Sequence, residues 1–144
     1  MASETITRND LKAVLDEVLP NASVDYIVEQ GTSGIWTYRK WNSGVAECWG
    51  KGTISGTWTA WGSVYHIEKT FDYPFAFASV PVVQAFSQAQ SVSGVSSSIM
   101  SVGSYIGLAD TALQEHCNVA LFRATAGTNS VNYPCDIYAI GRWK

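Results

Sequence analysis

Two periodicities divide the chain. In residues 7–19, TRNDLKAVLDEVL, the apolar residues Leu11, Val14, Leu15, Val18 and Leu19 recur at helical spacing and form one stripe. Thr7 is placed to cap this helix, and Asp10 three residues later completes a variant of the capping box. Ile6 and Leu11 are spaced as a hydrophobic staple, and Pro20 and Asn21 stop the helix. From Asp25 onward the pattern changes to alternation, the period of half-buried strands.

The alternation predicts strands at Tyr26–Gln30, Ile35–Trp41, Val45–Ile54, Val64–Phe71, Val82–Gln88, Ile99–Leu108, Asn118–Ala124 and Asn132–Trp143. Gly- and Ser-containing runs such as GTSG, NSG, SVSGVSSS and AGTNS separate them. Many short strands, frequent turns and no second helix predict a mainly β fold, an antiparallel β-sandwich or barrel with one short N-terminal helix. The chain divides into residues 1–22, the helix, and residues 23–144, the β-sandwich domain. A helix this short is marginal alone, so its stripe needs a cover. It either folds back on its own domain or meets copies of itself, with Leu11, Leu15 and Val18 as oligomer seam.

The stretch IWTYRKWNSGVAECWGK, residues 35–51, interleaves aromatics with charges. NSG at 42–44 suits a three-residue hairpin loop with Gly44 left-handed, which sets Arg39 against Glu47. A two-residue loop instead sets Lys40 against Glu47 and Tyr38 against Trp49. Either register lays cationic stems across aromatic faces, so Trp36, Trp41 and Trp49 read as sheet-packing residues.

Only 15% of the residues are charged, and the net charge is −3. No Lys/Arg cluster exceeds two residues, which argues against a nucleic-acid partner. No apolar run reaches the length of a membrane helix, and the N-terminus lacks a signal-type apolar segment. The expectation is a chain made in the cytosol, without membrane insertion. Cys48, Cys117 and Cys135 match no zinc pattern and read as reduced, apolar thiols, with a Cys117–Cys135 disulfide left open.

No catalytic constellation stands out. In QEHCN, Glu115, His116 and Cys117 are neighbours that a strand would point to opposite faces. Glu47, Glu68, Asp72, Asp110 and Asp136 offer no pair for glycoside cleavage that their flanks single out. GKGTISG lacks the following helix of a phosphate-binding loop. No cofactor and no metal is expected.

What remains is surface chemistry. GTWTAWGSVYH at 56–66 places Trp58, Trp61, Tyr65 and His66 among small residues, read as a loop joining two strands. The segment TAGTNSVNY, with Arg123 before it and Tyr133 at its end, is a second candidate. Aromatic faces beside hydroxyls and amides suit sugars, whose C–H faces stack and whose hydroxyls need partners.

Two further stretches carry a resemblance. FDYPFAFASVPVV at 71–83 and the closing DIYAIGRWK at 136–144 are similar, with residues 25–50 and the preceding helix, to small tail proteins of phages and prophages in Gram-positive bacteria. Their P-F-x-F-x-S-V-P-x-V and Y-x-A-I-G elements resemble the H-type lectin-like domain of phage tail fibres. The resemblance implies a six-stranded antiparallel sandwich and a homotrimer in a virion tail, bound to other tail proteins. It transfers no sugar-contacting residue.

These observations converge on a non-enzymatic tail-fibre or tail-tip domain that binds a host receptor, a cell-surface glycan. A purely structural trimeric cap shares every feature except a reason for exposed Trp58 and Trp61. A wall-degrading hydrolase would need two acids about 5–9 Å apart in an aromatic cleft.

Overall fold

The computed structural model describes residues 7–18, 25–87, 99–105 and 112–144. One helix, α1 (Arg8–Val18), precedes nine strands: β1 (Ile27–Ser33), β2 (Trp36–Trp41), β3 (Val45–Gly56), β4 (Thr59–Trp61), β5 (Val64–Asp72), β6 (Val82–Ser87), β7 (Ile99–Tyr105), β8 (His116–Arg123) and β9 (Val131–Arg142). They form two antiparallel sheets, β1-β2-β3-β9-β6 and β4-β5-β8-β7. The fold is a β-sandwich with one short helix.

Alternation sets the core. Cys48 and Ile54 of β3, and Val131, Tyr133, Cys135, Ile137 and Ala139 of β9, face inward against Ile67 and Phe71 of β5 and Cys117, Val119 and Leu121 of β8. All three cysteines are free and buried. Burial pushes the Cys48 and Cys117 thiols up to about 12 and Cys135 up to about 11.

The aromatic run after β5 is a cap rather than a strand. Tyr73 and Phe77 bond through their amides to the carbonyls of Glu115 and Gln114 (2.8 and 2.9 Å), which closes one end of the sandwich. Phe75 and Phe77 rings meet at 4.8 Å, and Tyr38 meets Phe75 at 5.6 Å. Trp36 is buried beneath, its indole N–H donating to the Asp72 carbonyl.

The β2–β3 hairpin takes the three-residue loop. Gly44 has φ 90°, and Arg39 faces Glu47 while Tyr38 faces Cys48. Arg39 lies over Trp49 (5.1 Å) and 3.8 Å from Glu47. Lys40 bonds Glu29 (2.9 Å) and lies over Phe75 (4.7 Å) and Trp143 (5.4 Å). The interleaved charges thus seat on rings, each cation paired with a carboxylate. Lys40, followed by the Tyr38 hydroxyl, holds the Glu29 carboxyl below its ordinary range.

The cap of α1 has the reciprocal geometry of its motif. The Thr7 amide donates to Asp10 (2.8 Å), and the Asp10 amide donates to the Thr7 hydroxyl (3.2 Å). The Asp16 carboxylate accepts from the Tyr26 hydroxyl (2.8 Å), which tethers the helix beside β1. Leu11 and Val14 remain 55% and 56% exposed, so the described sandwich leaves their stripe open. Leu15 is at its margin. Val18 ends the helix, and its side chain lies outside the described residues, as do Ile6 and Leu19.

Candidate functional site

Residues 56–66 are not a plain loop joining two strands. Thr59–Trp61 forms β4, paired with Val64–His66 of β5, and Gly62 and Ser63 make the turn with Gly62 at φ 60°. Three residues are too few for alternation to show, which is why the sequence pattern does not reveal this strand. Strand geometry then decides where each aromatic points.

His66 sits opposite Thr59 on β4 and Phe122 on β8. Ile67 and Leu121, each one position along, enter the core, so His66 and Phe122 face outward. Trp61 joins them: its ring is 5.1 Å from His66 and stacks on Phe122 at 6.0 Å and 25°. The His66 ring is fixed from both sides. Nδ1 donates to the Thr59 carbonyl at 3.1 Å, and Nε2 is 3.5 Å from Glu68. The result is an aromatic ledge, 49% exposed at Trp61, with a carboxylate at its margin.

Trp58, Tyr65 and Arg123 belong to the other side of the same sheet. Tyr65 pairs with Arg123 in the inward-facing register that contains Ile67 and Leu121. Trp58 packs on the core cluster beneath the Arg123 guanidinium, 4.9 Å from its ring centroid. Arg123 also donates to the Thr125 hydroxyl at 3.1 Å. Gly127 closes over both, since a Cβ there would lie 2.6 Å from Trp58 Cδ1. Tyr133 is buried in the inter-sheet core, its ring away from the surface.

The six sequence-derived residues therefore separate into Trp61 and His66 on the ledge, Trp58, Tyr65 and Arg123 behind it, and Tyr133 inside. Phe122 completes the ledge and was not anticipated. Alternation in β8 separates it from Leu121, but only the β5–β8 register brings it to His66.

A solved structure of an N-truncated R1-type pyocin tail fibre is similar to this chain over 98% of its residues and 99% of the fibre fragment, with TM-score 0.53 and 17% identity. A fragment of the P. aeruginosa R1 pyocin fibre comprising C-terminal residues 323–701 aligns with 90% of this chain and 31% of that one, with TM-score 0.47 and 17% identity. At such identity the likeness speaks to fold alone. No family model matches the chain, and no curated protein matches it.

Chemically, the ledge can stack a flat apolar face and offer Glu68 as a hydrogen-bond acceptor. The carboxylates considered for hydrolysis divide between the two sheets, with Asp136 on β9 of the five-stranded one. Glu47 accepts from Tyr138 (2.6 Å) and faces Arg39 on the five-stranded sheet, whereas Glu68 and Asp72 lie on β5 of the other. Asp110 lies outside the described residues. Among the described residues no group of three His, Cys, Asp or Glu could hold a metal ion, and no helix is long and apolar enough to cross a membrane.

Proposed function

We propose that this chain is a non-enzymatic tail-fibre or tail-tip domain of a phage-type particle, and that its ledge of Trp61, His66 and Phe122 contacts a glycan of the host surface. The observation that carries this reading is Trp61. Its ring is half exposed at the tip of a hairpin, beside a histidine held in place by Thr59 and Glu68. A preordered ring loses little entropy on stacking a sugar. The likeness in fold to an R1-type pyocin tail fibre supports the tail setting. The Gram-positive host and the H-type lectin-like subtype implied by the resemblance belong to the same proposal.

Assembly is part of this reading. In this reading residues 1–22 are the N-terminal oligomerising segment that carries α1 and residues 23–144 the sandwich domain, with three copies of α1 covering one another through Leu11, Leu15 and Val18. The exposure of Leu11 and Val14 supports it, because a stripe of this kind is stabilised only by burial.

The test is adsorption of the labelled protein to bacterial cells and to an array of wall polysaccharides, teichoic acids and host glycans. Binding that Trp61→Ala removes, with unchanged folding, supports the reading. Silence across all surfaces at high valency sinks it. One observation favours a second reading, a purely structural trimeric cap: Trp58, which the sequence placed on an exposed loop, is partly buried and packs on the core cluster under Arg123.

A further inference from the structure

A second patch of aromatic surface lies on the five-stranded sheet, away from the Trp61 ledge. Cys48, Cys135, Ile137 and Ala139 face the core, so the alternate positions of β3 and β9 face outward. The ladder pairs line these positions up in rows across the strands. Lys51, Asp136 and Phe86 stand in one row, with Ile35 just before β2 at its end. Thr37, Trp49 and Tyr138 form the next row, and Arg39 and Glu47 stand in a third. Between the first two rows runs a groove of about 560 Å³, floored by the backbone of Gly50 and Ile137.

The third row holds the rings of the second. The Arg39 guanidinium lies 5.1 Å from the Trp49 ring centroid, and the Tyr138 hydroxyl donates to Glu47 at 2.6 Å. Arg39 and Glu47 are themselves 3.8 Å apart. Both stand on the far side of the rings from the groove, so Trp49 and Tyr138 are held from behind and border it with their near sides. Rings fixed before a ligand arrives lose little entropy on stacking. Lys51 and Asp136, direct cross-strand partners, form the opposite wall. Their charges cancel, so this wall selects no ion. It still offers hydrogen bonds: an ammonium has three protons to donate, and a carboxylate has about four acceptor positions, more than one protein partner fills.

We propose that this groove binds a neutral di- or trisaccharide laid across β2, β3, β9 and β6. Sugar C–H faces rest on Trp49 and Tyr138, and hydroxyls meet Thr37, Lys51 and Asp136. A wall of rings facing a balanced donor–acceptor pair matches a ligand that is apolar on its faces, polar at its edges and uncharged. From Thr37 to Phe86 the groove crosses three strand spacings, roughly 14 Å. Its volume falls within the range of small-ligand sites. The proposal shares with the receptor reading only the class of ligand. It uses none of the ledge residues and does not depend on the tail setting.

The experiment is an NMR titration of the full chain with maltotriose, cellotriose and chitotriose, with glucuronate as a charged comparator. The expected result is saturable shifts of the Trp49 indole N–H and of the Gly50, Lys51 and Tyr138 amides with a neutral trisaccharide, and weaker ones with glucuronate. Trp49→Ala should weaken binding by about tenfold or more, through the loss of a stacking face. Lys51→Ala, at an exposed position, should weaken it by about threefold or more while the rest of the spectrum verifies the fold. Trp61→Ala should leave the groove shifts intact. Absence of saturable shifts with all three trisaccharides, tighter binding of glucuronate, or full binding by both groove variants overturns the proposal. So do groove shifts that appear on raising the protein concentration without sugar, which would mark this face as a contact between copies of the chain. The receptor reading is judged separately, on cell adsorption of the Trp61→Ala protein.

Discussion

Arg123 lies across Trp58, its Cζ 4.9 Å from the ring centroid, while Trp61 reaches the opposite face of the same sheet and stacks on Phe122. Three positions in sequence separate a packed tryptophan from an exposed one. Trp58→Ala removes a ring that packs on the core and under a cation, and should cost about 2 kcal/mol. Trp61→Ala should cost less than about 1 kcal/mol, because half of its surface is already in water. Denaturant unfolding of the two variants checks the order. Equal losses would show that both rings serve packing alone.

Gly44 turns the β2–β3 hairpin at φ 90°, and a Cβ there would lie 2.6 Å from Arg142 Nη2 and 3.2 Å from the Lys144 carbonyl. The guanidinium can move aside, but the backbone conformation cannot be exchanged without breaking the loop. Gly44→Val should therefore destabilise by about 2 kcal/mol or more, through positive-φ strain first and crowding second. An unchanged melting temperature would contradict the assigned turn.

The buried thiols make a prediction at alkaline pH. Cys48 and Cys117 are pushed up to about 12 and Cys135 to about 11, from 9.0 in the unfolded chain, chiefly by burial. Folded values raised above unfolded ones give stability that is complete below pH 9.0 and is lost as pH rises toward the folded values. Each thiol should remove on the order of 1.4 kcal/mol per pH unit across that window. Tyr138, raised to about 12 by burial and then by Glu47, acts in the same direction. Thermal melts from neutral to strongly alkaline pH test this, and a flat profile would refute it. Thiol reagents should likewise label the native chain slowly and the unfolded chain fast.

The Thr7–Asp10 cap bears on α1 alone. Thr7→Ala leaves the Asp10 amide without its acceptor and should weaken the helix by about 1 kcal/mol. Backbone chemical shifts of residues 8–18 should move toward coil while the sandwich melts at the same temperature. A parallel drop in global stability would show that the helix is coupled to the sandwich more strongly than through the Tyr26–Asp16 bond.

Much of the fold was legible because its signals are local. The stripe of α1 and its cap lie within a few residues of one another, and so do Asn42, Ser43 and Gly44 of the hairpin loop. Two hairpin registers remained open, since both pair an acid with a base over aromatic rings. The realised one puts Tyr38 opposite buried Cys48, toward the core, and Arg39 opposite Glu47, outward.

Alternation by itself established that neighbouring residues of a strand face opposite ways, and the turn residues established that these strands are antiparallel and short. Which face is inside is a property of two sheets meeting, because a period of two is identical whichever side is buried. That choice placed Tyr133 in the core and Trp61 on the surface, and divided the aromatics of residues 58–66 between the two sides. Pairings distant in sequence did the rest: β5 against β8 brought Phe122 to His66. Such contacts depend on where chain segments meet after folding, and the free energy that fixes them is shared across the whole core rather than written at any one position.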